Sequence, residues 1–207
     1  MSKNQKKIVV FDFDGTIADS LPVIYEVGSE IIKEYTDDNI SPKEIEKLKE
    51  SGIKKALKKV DIPFYKIPVM FLRLHVGIYE SIDGVKPFPG INKSVESLRK
   101  DYKLGIFTNN RKKTVDRFLR NNNLNSFDFV KDNPFLRDKS KKLSKMNGDV
   151  LAYVGDQAAD MKAAKKADLL AVGVDWGFDS KGKLQRSGAD FIAETPEDLV
   201  KILKQLI

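Results

Sequence analysis

Cysteine is absent from the chain, which excludes a disulfide framework, a thiolate metal site and a cysteine nucleophile. Long apolar runs are absent too. After the basic start MSKNQKK only IVVF precedes Asp12, too short a run for a signal peptide or a membrane span. These absences point to a cytoplasmic protein without a membrane partner. Internal repeats and low-complexity tracts are also missing. The only histidine, His75, lies in FLRLHVGIY, a helical pattern in which it reads as a packed or surface residue rather than a catalytic base.

What the chain does contain is sufficient for a sizeable core: 207 residues, 41% of them hydrophobic. The formal charge of +7 would raise the local concentration of anions, whether small phosphates or nucleic acid. Many of the lysines fall at helix-surface spacing between Lys43 and Lys59, where they read as a solvated face. Basic and aromatic residues are not interleaved as a stacking platform for single strands requires, so nucleic acid is not the expected partner.

Short runs that are apolar throughout recur along the chain: KKIVVFDFD, KLGIFT, FDFV, VLAYVGD and LLAVGV. Most are separated by helical segments, and uninterrupted apolar runs belong to parallel strands covered on both faces. The fold class is therefore α/β, a doubly wound parallel sheet. Thr195, Pro196 and Asp198 read as an N-cap, a first-turn proline and an N3 acid opening the last helix, and Ser41, Pro42 and Glu44 repeat that signature. From Leu21 to Val85 only helical patterns occur. This places a helical insertion over residues 19–85, between 1–18 and 86–207 of the α/β core.

Ligands of such sheets bind outside the carboxyl ends of the strands. Strand one ends in Asp12 and Asp14, KLGIFT ends in Thr108 and Asn109, and VLAYVGD ends in Asp156 with Asp160 four residues on. A carboxylate is costly to bury unless paired or bound to a cation. Asp12, Asp14 and Asp156 are hard oxygen ligands suited to Mg²⁺, which takes one or two carboxylates plus water and phosphate. Asp160, one helical turn past Asp156, can lean over the same point as a water-mediated ligand or an orienter. Thr108, Asn109 and helix-start N–H groups suit phosphoryl oxygens. A lysine must neutralise the remaining charge, and Lys139, Lys131, Lys141 and Lys142 are available. Arg73, Trp176 and Asp175 are left outside the site, with Trp176 packing a loop at the sheet edge.

The three segments DFDGT (Asp12–Thr16), TNN (from Thr108) and GDQAAD (Gly155–Asp160) occur in that order at three strand ends. In this the chain resembles the haloacid dehalogenase superfamily phosphatases of the phosphoglycolate-phosphatase-like kind, and the resemblance covers essentially its whole length. It implies that Asp12 is a nucleophile forming an aspartyl-phosphate and that Asp14 is the acid and base. Thr108 and a lysine would hold the phosphoryl oxygens, and Mg²⁺ would be held by Asp12, the Asp14 carbonyl and Asp156. The third motif departs from the common Lys-Pro form, and Lys139 is favoured by its Lys-x-x-x-Leu spacing. The substrate expected is a small phosphate monoester, phosphoglycolate-like or a sugar phosphate. A nucleic-acid or nucleotide end phosphatase, a phosphomutase and an idle phosphate-binding module are the alternatives.

Overall fold

The five apolar runs form five strands of one six-stranded parallel sheet. The computed structural model describes residues 6–34, 64–133, 138–146 and 149–206. In chain order the strands are β1 (Ile8–Phe11), β2 (Lys103–Thr108), β3 (Phe129–Asp132), β4 (Val150–Gly155), β5 (Leu170–Val174) and β6 (Phe191–Ala193). They lie in the order β3-β2-β1-β4-β5-β6, the doubly wound arrangement whose order reverses beside β1. The helices are α1 (Leu21–Lys33), α2 (Ile67–Ser81), α3 (Ile91–Leu98), α4 (Lys112–Asn121), α5 (Lys139–Leu143), α6 (Ala158–Lys166), α7 (Lys181–Arg186) and α8 (Pro196–Lys204).

Both faces of the sheet are covered, which explains why its strands carry no polar alternation. On one face Val9, Phe11, Leu104, Ile106 and Val154 pack under Val95, Leu98, Val115, Phe118, Leu199 and Leu203 of α3, α4 and α8. On the other, Val10, Phe107, Tyr153 and Ala171 meet Leu143, Met161, Ala164 and Leu184 of α5, α6 and α7.

The α/β class read from the sequence is what the structure shows, with two differences in detail. β6 was not among the expected strands: three residues, Phe-Ile-Ala, are too few to carry a pattern, and the strand exists through pairing with β5. β3 starts at Phe129 rather than Phe127, because Asp128 turns its carboxylate onto the Leu104 N–H at 2.8 Å. Among the described residues between Leu21 and Val85 only helices occur. The Ser41–Pro42–Glu44 helix start and the lysines from Lys43 to Lys59 lie outside the described residues. No helix among the described residues is long and apolar enough to cross a membrane.

Thr195 caps α8 as its sequence predicts, its Oγ1 accepting the Asp198 N–H at 3.2 Å. Thr195→Ala should therefore lower unfolding free energy by about 1 kcal/mol in urea denaturation, and Thr195→Ser should restore most of it.

Candidate active site

The end of β1 is where a buried strand must turn without losing its backbone partners. The Asp12 N–H donates to the Val154 carbonyl at 2.8 Å, and the Phe13 N–H turns back onto Asp12 Oδ1 at 2.8 Å. Phe13 then buries its ring edge-on against Phe118, centroids 5.0 Å apart. With the phenylalanine anchored in the core, the two flanking aspartates are held at the strand end. Gly15 follows with φ +74, a conformation that glycine adopts without strain, and a Cβ there would lie 2.1 Å from Asp156 Oδ2. The glycine of DFDGT is required by both turn and neighbour.

β1 and β4 are adjacent at the point where strand order reverses, so Asp12 and Asp156 converge from neighbouring strand ends. Asp12, Asp156 and Asp160 are all buried, and one carboxylate oxygen from each lies within 4.8 Å of the others. Asp156 Oδ2 accepts the Phe178 N–H at 2.7 Å, and Asp156 Oδ1 accepts the Thr16 hydroxyl at 3.4 Å. Gly177 permits this approach of the loop after β5, since a Cβ there would be 2.2 Å from the Asp156 Cβ. Asp160 uses Oδ2 to accept the Gln157 N–H at 3.1 Å, capping α6, and turns Oδ1 to Lys139.

Lys139 enters from the start of α5 and is itself buried. Its Nζ donates to Asp12 Oδ2 at 2.6 Å, Asp160 Oδ1 at 2.8 Å and the Tyr153 hydroxyl at 2.9 Å. Burial alone would depress the lysine pKa, but the Asp12 and Asp160 carboxylates outweigh it and hold the ammonium well above its ordinary range. Of the other lysines, Lys131 lies over the Phe129 ring and Lys142 donates to the Asp132 carbonyl. Both of these are exposed, as is Lys141.

Three carboxylates gathered about a single ammonium leave buried negative charge in excess. Burial, then the charges of Asp160 and Asp12, push the Asp156 carboxyl well above the usual carboxylate range. Such a group stays ionised most readily beside a further cation, and an all-oxygen donor set suits a hard divalent ion. The residues present therefore fit Mg²⁺, with Asp12 and Asp156 best placed to hold it and Asp160 committed to Lys139 and the helix cap.

Asp14 faces elsewhere. Its carboxylate accepts the Ser20 hydroxyl at 2.7 Å and the Asn110 amide at 3.1 Å, and it is not one of the three clustered acids. Burial, against the two hydrogen bonds, raises its pKa to about 6. Thr108 is buried, with Oγ1 accepting the Asn110 N–H at 3.0 Å. Asn109 turns away from Asp14, its Oδ1 accepting the Asn133 amide at 3.1 Å. Of the TNN amides, it is Asn110 that reaches the Asp14 carboxylate, while Asn109, expected at the phosphoryl oxygens, is bonded to Asn133. His75 and Arg73 lie on α2, Arg73 paired with Glu34. Trp176 donates to the Thr16 carbonyl at 3.1 Å and packs near Phe88, bracing the loop that reaches Asp156.

Sequence reasoning passed over Ser20, Tyr153 and the 177–178 backbone. Ser20 carries a faint signal as a small polar residue within a turn of DFDGT; Tyr153 carries none.

The sequence matches the family model described as haloacid dehalogenase-like hydrolase over residues 9–174. The phosphoglycolate phosphatase of Synechococcus elongatus is 27% identical over 96% of this chain and 98% of its own. Pyrophosphatase PpaX of Bacillus mycoides is 22% identical over 96% and 97%. A crystal structure from Clostridium acetobutylicum, described as a predicted phosphatase, superposes with a TM-score of 0.79 at 21% identity, covering 98% of this chain and 100% of that one.

The two TNN amides give a direct test of the geometry. Asn110→Ala removes a hydrogen bond to a carboxylate and should lower kcat about tenfold or more, whereas Asn109→Ala should change it less than about threefold. Steady-state assay of both variants on one phosphate ester checks the difference.

Proposed function

The chain belongs to the haloacid dehalogenase-like hydrolases, and on that premise we propose that it is a cytoplasmic, Mg²⁺-dependent phosphatase of small phosphate monoesters. The observation that carries the reading is the Lys139 ammonium at 2.6 Å from Asp12 beside the three-acid cluster. An idle binding module would have no need of both Asp12, on the Lys139 ammonium, and Asp14 beside it. Phosphoglycolate heads the substrates to assay, given the relative at 27% identity, with pyrophosphate and sugar phosphates beside it.

In the first half-reaction an Asp12 carboxylate oxygen attacks phosphorus, the ester P–O bond breaks, and Asp14 gives its proton to the leaving oxygen. In the second, Asp14 takes a proton from water as that water attacks phosphorus and frees Asp12. Splitting the displacement in this way replaces one difficult step by two easier ones. A pKa near 6 lets one carboxyl serve as acid and then as base near neutral pH. Lys139 and the Thr108 hydroxyl hold the phosphoryl oxygens as negative charge redistributes. Mg²⁺, held by Asp12, Asp156 and the Asp14 carbonyl, would neutralise carboxylate and phosphoryl charge together. Residues 19–85 would act as a cap over this edge, excluding water and bulky substrates.

Chelation of Mg²⁺ should abolish phosphate release, and Ca²⁺ should restore it poorly because its larger, looser shell suits the site badly. Full turnover after exhaustive chelation would remove the metal from the account.

The two aspartates should fail differently. Asp12→Asn should form no phosphoenzyme at all. Asp14→Asn should lose about 10²–10⁴-fold in each step that needs the proton shuttle, yet still be phosphorylated by an aryl phosphate, whose leaving group needs little protonation. Phosphoenzyme should then accumulate with label on Asp12, as read by peptide mass spectrometry; label on another residue contradicts the assignment.

A further inference from the structure

Tyr153 is fully buried in the middle of the β4 strand, facing the α5–α6 side of the sheet. For packing alone a phenylalanine would serve. Its hydroxyl is bonded on both sides: the proton is donated to the Phe107 carbonyl at 2.8 Å, and the oxygen accepts from Lys139 Nζ at 2.9 Å. Phe107 immediately precedes Thr108, so the hydroxyl links the lysine to the backbone of the strand that carries the other phosphoryl-binding residue.

We propose that Tyr153 is a positioning residue that acts through Lys139, fixing the ammonium so that it bears on Asp12 and the incoming phosphoryl group. This rests on the phosphatase reading above. A lysine ammonium is a point charge on a flexible four-carbon stem and has three N–H donors. Two carboxylates alone would leave it one donor short of a partner and free to swing about the line between them. The tyrosine supplies a third acceptor off that line, and because its proton is committed to Phe107 it can only accept from the lysine. The Tyr153 hydroxyl is held neutral, its pKa pushed well above the ordinary value by burial and by Asp12. The ammonium keeps its full charge, and its direction is set by strands rather than by the substrate.

Tyr153→Phe preserves the ring and removes only the hydroxyl. It should lower kcat about tenfold or more, the cost of a lost hydrogen bond to a charged group, with KM changed less than about threefold. The decisive measurement is a double-mutant cycle. In a Lys139→Ala background Tyr153→Phe should change kcat less than about twofold, because nothing remains for the hydroxyl to position. An equal factor in both backgrounds, or no loss in the single variant, overturns the proposal while leaving the phosphatase reading in place. An unaffected Lys139→Ala enzyme overturns that reading and the proposal with it. Should Tyr153→Phe melt too low to assay, the unsubstituted protein supplies a second readout. A nuclear Overhauser cross-peak between the Lys139 ammonium and Tyr153 hydroxyl protons is expected, and its absence from a spectrum in which both signals are assigned overturns the contact.

Discussion

Three carboxylates share one small buried volume with a single ammonium, and most of the architecture follows from making that arrangement tolerable. Taking charged groups out of water costs several kcal/mol each unless geometry and hydrogen bonds return it. Here Asp12, Asp156 and Asp160 each accept at least one hydrogen bond from backbone N–H or lysine. Gly15 and Gly177 remove side chains where the backbone must approach Asp156. The Trp176 indole, bonded to the Thr16 carbonyl, ties two of those loops together. What remains uncompensated is negative charge, which is the condition under which a divalent cation binds.

The sheet supplies the convergence. In the order β3-β2-β1-β4-β5-β6, β1 is central, and chain segments leave it toward both edges, so the crevice at its carboxyl end is flanked by β2 and β4. Thr108 arrives from one and Asp156 from the other without any long loop. Side-chain alternation then sorts the roles. Phe11 and Phe13 enter the core under α3 and α4, whereas Val10, Phe107 and Tyr153 face α5 and α6, the side from which Lys139 comes.

Much of this was legible beforehand, and for identifiable reasons. DFDGT, TNN and GDQAAD stand at the ends of apolar runs, so a parallel sheet brings them to one edge whatever the loop details. Lys139 could be favoured over Lys141 and Lys142 from its Lys-x-x-x-Leu spacing, and the Thr195 cap was visible as a local pattern. The remainder depended on three-dimensional facts. Asn109 and Asn110 are alike in sequence, and only the direction of the turn after β2 decides which amide meets Asp14. Tyr153 sits in VLAYVG as one more large residue of a buried strand, and its hydroxyl acquires meaning only when β4 is laid beside α5. Asp160 was read as a metal ligand or an orienter, and its carboxylate is divided between a helix cap and the lysine.

The spacing of the two aspartates in DFDGT has a physical sense beyond their both being acids. One residue between them is a buried phenylalanine, so the chain cannot rotate either carboxylate into the other's environment without pulling Phe13 from the core. Asp12 is held between the Lys139 ammonium and the Phe13 N–H. Asp14 meets only the neutral donors of Ser20 and Asn110, and burial lifts it to about 6. Two chemically identical groups are thereby given different partners, one an ammonium and the other a hydroxyl and an amide. On the proposed phosphatase reading, that difference in partners is what would let one carboxylate attack while its neighbour, lifted to about 6, carries a proton.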